Sequence, residues 1–166
     1  VIQSINTQHT SDISALVLVE PNVLISASLD RTAIAWNLID QGLNVYYYSK
    51  HLGAINDGIF LGNGLFATGD EVSKLNIWNY KDGSTLLIIS TASAVTALSL
   101  VSQSSQLIAA GSQDGVVRIY SYANGLLFSE LPPGHTDLVV GLVLFSFDTL
   151  VSTGQDGRIV VYNLPS

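Results

Sequence analysis

An all-β fold assembled from four copies of one four-stranded antiparallel unit is what this sequence of 166 residues predicts. Three observations carry that expectation. Trp36, Trp78, Tyr120 and Tyr162 stand 42 residues apart at every step. The apolar runs within each step are short, bounded by turn residues and rich in Val, Ile, Leu and Tyr, as strands are. No segment shows a helical period. With 48% hydrophobic and 11% charged residues the chain is not of the disordered class. No apolar run reaches the roughly 18–20 residues of a membrane-spanning helix.

The first unit shows its strands in order as ISALVLV, VLISAS, TAIAWNL and NVYYYSK, and the last unit shows LVVGLVLF, LVST and RIVVYNL. Between second and third strands lie LDRT, DEVS, QDGV and QDGR. Asp bonds its own backbone downstream and Gly accepts a positive φ, which a tight hairpin requires. The units run over about 7–50, 51–90, 91–131 and 132–166 within one domain, 1–166. Strand 1–6 supplies the missing fourth member of the last unit.

Other positions keep the same register. Ser26, Thr68, Ala110 and Ser152 share one position, and His9, His51 and His135 share another, with Ser93 at the third step. Asp30, Asp114 and Asp156 share a third, while the second unit has Val72 there and its acids, Asp70 and Glu71, just upstream. A four-stranded unit cannot bury both faces alone, so such units pack side by side around an axis.

Through these positions the chain resembles the WD40-repeat family along essentially its whole length. The first unit matches completely, as His9, Ser26, Asp30 and Trp36, with Asn37 completing a Trp-Asn dipeptide where the family has its signature pair. The second matches at His51, Thr68 and Trp78; the third at Asp114 and Tyr120; the fourth at His135, Ser152, Asp156 and Tyr162. The resemblance implies a β-propeller of four-stranded blades, four of them in this chain. It also implies a structural hydrogen-bond chain in each blade, from Asp through His and Ser to the Trp indole. The third unit, lacking the His and the hydroxyl, is expected to be the weakest.

Chemically sharper readings fare worse. His9, Ser26 and Asp30 are the residue types of a hydrolytic triad, but an active site is needed once and this set recurs. His9, His51 and His135 sit at equivalent positions of separate blades, too far apart for zinc. No catalytic residue, metal site or cofactor is expected. Gly62-Asn63-Gly64 lacks the pattern of a phosphate loop and is a turn. Tyr46 to Tyr48 falls on an outer strand and offers an aromatic contact surface, and Pro132-Pro133 ends another outer strand.

Function is expected to be that of a non-catalytic scaffold assembling protein complexes through a face of loops. Its contact residues would be Asp12, Arg31, Asn56, Asp57, Glu71, Gln113, Asp137 and Gln155. Their acidic balance favours a partner segment of basic character. The net charge is −7 and the six basic residues are scattered, so nucleic acid is not an expected ligand. The alternatives are a subunit that completes a larger propeller and, less favoured, a hydrolase. The absence of Cys and of glycosylation acceptors points to an intracellular protein, cytoplasmic with the nucleus left open. Four wedges are few for one ring. The chain is therefore expected either to pair head to tail with a second copy or to be a segment of a longer propeller.

Overall fold

The computed structural model describes residues 8–38 and 44–164, with backbone alone for 44–49. Among the described residues, fifteen strands form four antiparallel sheets in chain order. Sheet one holds β1 (Ile13–Glu20), β2 (Val23–Ser28), β3 (Thr32–Asn37) and β4 (Asn44–Lys50). Sheet two holds β5 (Ile55–Gly62), β6 (Leu65–Asp70), β7 (Lys74–Asn79) and β8 (Thr85–Ser90). Sheet three holds β9 (Val95–Ser102), β10 (Leu107–Ser112), β11 (Val117–Ser121) and β12 (Leu127–Glu130). Sheet four holds β13 (Val139–Ser146), β14 (Thr149–Gly154) and β15 (Ile159–Asn163). Each is a simple up-and-down meander, the blade of a propeller. The expected strand 1–6, and its pairing with the last blade, lie outside the described residues.

The register repeats as closely as the sequence. Ser26 pairs with Ile34, Thr68 with Asn76, Ala110 with Arg118 and Ser152 with Val160. Asn63 and Gly64 both have positive φ, 52° and 81°, as a two-residue hairpin of type I′ requires. Arg31, Ser73, Gly115 and Gly157 occupy one position of the repeat, and all four have φ between 63° and 79°. The hairpin after each second strand therefore demands a left-handed residue, which the third and fourth repeats meet with Gly.

The sheets stack face to face in chain order, β1 on β5, β5 on β9 and β9 on β13. One face of sheet one, with Val19, Ile25, Ala27, Ala33 and Ala35, packs on Phe66, Trp78 and Tyr80 of sheet two. One repeat later Leu61, Ala67, Leu75 and Ile77 pack on Ile108, Tyr120 and Tyr122 of sheet three. One further, Ala109, Val117 and Ile119 pack on Leu150, Tyr162 and Leu164 of sheet four. Small and aliphatic residues on each trailing face thus meet large, mostly aromatic ones on the next leading face. The Phe66 and Trp78 rings meet edge to face at 5.4 Å, a favourable aromatic geometry.

Side chains at the start of the innermost strands clamp the same contacts. Ser14 Oγ donates to the Ile55 carbonyl at 2.6 Å, Asn56 Nδ2 to Val95 at 2.8 Å and Thr96 Oγ1 to Val139 at 2.6 Å. Sheet three is covered on both faces. That packing weighs against the expectation that it is the weakest unit, since a missing network bond is worth about 0.5–1.5 kcal/mol. Full burial of one side chain such as Ile108 or Ile119 is worth about 1.5–3 kcal/mol.

Candidate functional site

The hairpin between second and third strands and the loop entering each blade lie at one end of the stack, tied together in every repeat. The amides of Leu29, Glu71, Gln113 and Gln155 donate to the carbonyls of Asp12, Ala54, Ala94 and Leu138 at 2.9–3.0 Å. These bonds fix a common platform of eight loop segments. Beneath it sit the polar networks.

In sheet one, His9 Nε2 is 2.7 Å from Ser26 Oγ, His9 Nδ1 is 3.1 Å from Asp30 Oδ2, and Trp36 Nε1 donates to Ser26 Oγ at 2.8 Å. These partners assign the histidine proton to Nδ1: indole N–H to hydroxyl, hydroxyl to Nε2, Nδ1–H to carboxylate. Thr32 joins as a further donor to Asp30. In sheet four, His135 lies 2.6 Å from Ser152 Oγ and 3.0 Å from Asp156 Oδ1. In sheet two, His51 lies 2.6 Å from Thr68 Oγ1, and its acid is Asp70 at 3.0 Å. Asp70 is absent from the residues singled out by register, because it stands two positions before the aligned Val72.

The indole end of the chain forms only in sheet one. Trp78 Nε1 and Tyr162 Oη are buried without a hydrogen-bond partner among the described residues. Sheet three replaces the network. Arg118, which the sequence reading passed over, lies 2.9 Å from Asp114 and 2.8 Å from Glu130. Ser93 offers its carbonyl to the Thr91 hydroxyl. An arginine opposite an alanine of the hydroxyl register, with an acid four residues before it, was the available signal.

Burial alone raises the Asp30 carboxyl, but donors from Thr32, Thr10 and His9 outweigh it and hold the group at about 2. The Thr136 amide, with His135 and the Arg158 amide, holds Asp156 at about 2. The hydroxyls of Ser26, Thr68 and Ser152 are on residues no more than 1% exposed. A nucleophile must reach its substrate, and these oxygens are sealed within the sheets.

The proposed contact residues separate into two sets. Asp12, Arg31, Glu71, Gln113, Asp137 and Gln155 are exposed on the loop platform. Asn56 and Asp57 are turned inward. Asp57 accepts the amides of Gly58 and Leu98, both at 2.7 Å, between sheets two and three, and burial pushes its carboxyl up. Asn56, Glu71 and Gln113 converge on one depression of about 430 Å³, completed by Ala94, Thr96, Leu138, Val139 and Val140. Glu71 is held there by the Ala54 amide at 3.0 Å. At the opposite end a recess of about 270 Å³ is lined by Glu20, Val23, Tyr80 and Lys81. There the Tyr80 hydroxyl and the Lys81 ammonium already satisfy Glu20. No group of three or more metal-ligating side chains occurs among the described residues, and no helix there is long and apolar enough to cross a membrane.

Four stacked meanders define a β-propeller fold, and their His, Ser/Thr and Asp networks resemble those of WD40 repeats. A family model described as "WD domain, G-beta repeat" matches residues 83–121, from β8, the last strand of sheet two, through β11 of sheet three. Curated relatives carry the same kind of repeat. The "WD repeat-containing protein 55 homolog" of Drosophila virilis is 24% identical over 140 residues, covering 84% of this chain and 28% of that protein. The Drosophila mojavensis protein of the same name is 25% identical over 141 residues, with the same coverages. The chain thus spans just over a quarter of the length of these relatives. Among solved structures, the computationally designed Ika4 protein superposes with a TM-score of 0.81 at 23% identity, covering 95% of this chain and 94% of that one. The designed Ika8 protein gives 0.78 at 23% identity, covering 94% of this chain and 47% of that one. Proteins with WD40 repeats generally bind other proteins and generally act as non-catalytic scaffolds.

Proposed function

We propose that this chain is a non-catalytic scaffold whose loop platform captures an extended segment of another protein. The depression joining Asn56, Glu71 and Gln113 carries the reading. It presents amide donors and acceptors to a peptide backbone, a carboxylate to a basic side chain, and apolar Leu138 and Val140 to its neighbours. Association with other proteins is the general property of such repeats; the basic segment is the finer step. Buried, repeated Ser/Thr-His-Asp sets support structural networks over hydrolysis. Scattered cations favour protein over nucleic acid as partner, and the lack of Cys fits an intracellular, cytoplasmic setting.

Selection from a displayed random-peptide library tests this. Binders enriched in Lys or Arg are expected, losing roughly tenfold in affinity with Glu71→Ala or Gln113→Ala, a change of about 1.4 kcal/mol, at unchanged thermal stability. Binders indifferent to both substitutions, or cleavage of the peptide, would refute it.

A further inference from the structure

Three polar side chains around the depression on the loop platform are already half committed, and each has an acceptor left. Glu71 gives one carboxylate oxygen, Oε1, to the Ala54 amide at 3.0 Å, so that among the described residues only Oε2 stays without a partner. Asn56 donates from Nδ2 to the Val95 carbonyl at 2.8 Å, which orients the amide and leaves Oδ1 to accept. Thr96 spends its hydroxyl proton on the Gly111 and Val139 carbonyls, at 3.1 and 2.6 Å, so its oxygen can only accept. Glu71 is the one charged residue lining the depression, and no Lys or Arg stands there to neutralise it. Leu138, half-buried, and Val140, exposed, add an apolar wall.

We infer that this depression selects a lysine whose amine is unmodified, an inference that rests on the reading of it as a peptide site. A lysine ammonium carries three donors on one atom and turns them towards separate acceptors. Glu71 Oε2, Asn56 Oδ1 and Thr96 Oγ1 meet that need, and the aliphatic stem is covered by Leu138 and Val140. Arginine is matched less well. Its planar fork binds a carboxylate through both oxygens, and the Ala54 amide has taken one of those of Glu71. Acetyl-lysine brings a single N–H and no charge. Trimethyl-lysine keeps the charge but has no N–H, and no aromatic ring lines the depression to hold it by a π face. Acetylation or trimethylation of the partner's lysine therefore releases it.

Four random-peptide pools test this against the immobilised chain. They are alike except for a central Lys, Arg, acetyl-lysine or trimethyl-lysine, and contain no other cation. The Lys pool is expected to bind roughly tenfold more tightly than each of the others, the effect of about one charge-assisted hydrogen bond. Glu71→Gln keeps an acceptor for the Ala54 amide and puts an amide nitrogen in place of Oε2. It should erase the difference between the Lys and acetyl-lysine pools, with the circular dichroism spectrum and melting temperature of the wild type. Equal or tighter binding of the Arg, acetyl-lysine or trimethyl-lysine pool would overturn the selectivity while leaving the peptide reading in place. A Lys preference that survives Glu71→Gln would do the same. Binding of none of the four pools would overturn both.

Discussion

His51 Nδ1 lies 3.0 Å from Asp70 Oδ2, with both side chains fully buried. The acid reaches the histidine from two residues before its place in the other networks, because the hairpin Asp70 to Lys74 folds around the carboxylate. The amides of Val72 and Lys74 donate to its other oxygen at 3.0 and 2.7 Å. Removing the acid strands a buried imidazole and two amides. We expect Asp70→Ala to cost about 3 kcal/mol, at or beyond the upper end of roughly 1–3 kcal/mol for Asp30→Ala. Val72→Asp should not restore it. Urea denaturation measures all three; an Asp70→Ala variant as stable as the wild type would show the pair to be dispensable.

Packing on both faces should protect sheets two and three more than sheets one and four. Native-state amide exchange is expected to give the highest opening free energies in β6, β7, β10 and β11, and lower ones in β2 and β14. Opening of sheet three before sheet one would mean that the lost His-Ser network outweighs its covered faces.

The blades were legible because their signals are local and repeated. The predicted runs at 23–28 and 44–50 coincide with β2 and β4, and those at 32–38 and 158–164 differ from β3 and β15 by single terminal residues. Register alone found His9, His51 and His135 but not Asp70, whose role depends on how a hairpin bends, nor Arg118, which answers the loss of two other side chains. Asp57 reads as a loop acid in sequence. Only the stacking of β5 on β9 shows that it caps the Leu98 amide. The 42-residue step carries the pairing within a sheet, but which faces stay uncovered is a property of the stack.

Arg31 and Ser73 hold φ of 74° and 63° at the hairpin position where the other two repeats place Gly115 and Gly157. A left-handed conformation costs a residue with a Cβ roughly 1–2 kcal/mol, partly offset by the greater unfolded-state entropy of glycine. Ser73→Gly and Arg31→Gly should each therefore stabilise the chain by about 0.5 kcal/mol. Gly157→Ala, where a Cβ meets nothing within 4 Å, should destabilise by backbone strain alone. Calorimetric melting of the three variants checks the sign; a lower melting temperature for Ser73→Gly would show that the serine makes a compensating contact.

Asp30 and Asp156, both held at about 2, make the stability fall in acid. An unfolded aspartate takes up its proton near its ordinary value of about 3.9, whereas the folded networks keep both groups ionised down to about 2. The unfolded state therefore binds more protons across that interval. Stability from these groups is fully present above about pH 5 and is lost as pH falls from about 4 towards 2. Asp57 acts in the opposite sense, since burial pushes it up. It disfavours the folded state once ionised, so its protonation gives a shallow gain just above the steep loss. Denaturation midpoints between pH 7 and pH 2 should trace that shape. Asp30→Asn with Asp156→Asn should lower the plateau and flatten the acid limb together. A double variant that keeps the wild-type acid limb would place the titrating groups elsewhere in the chain.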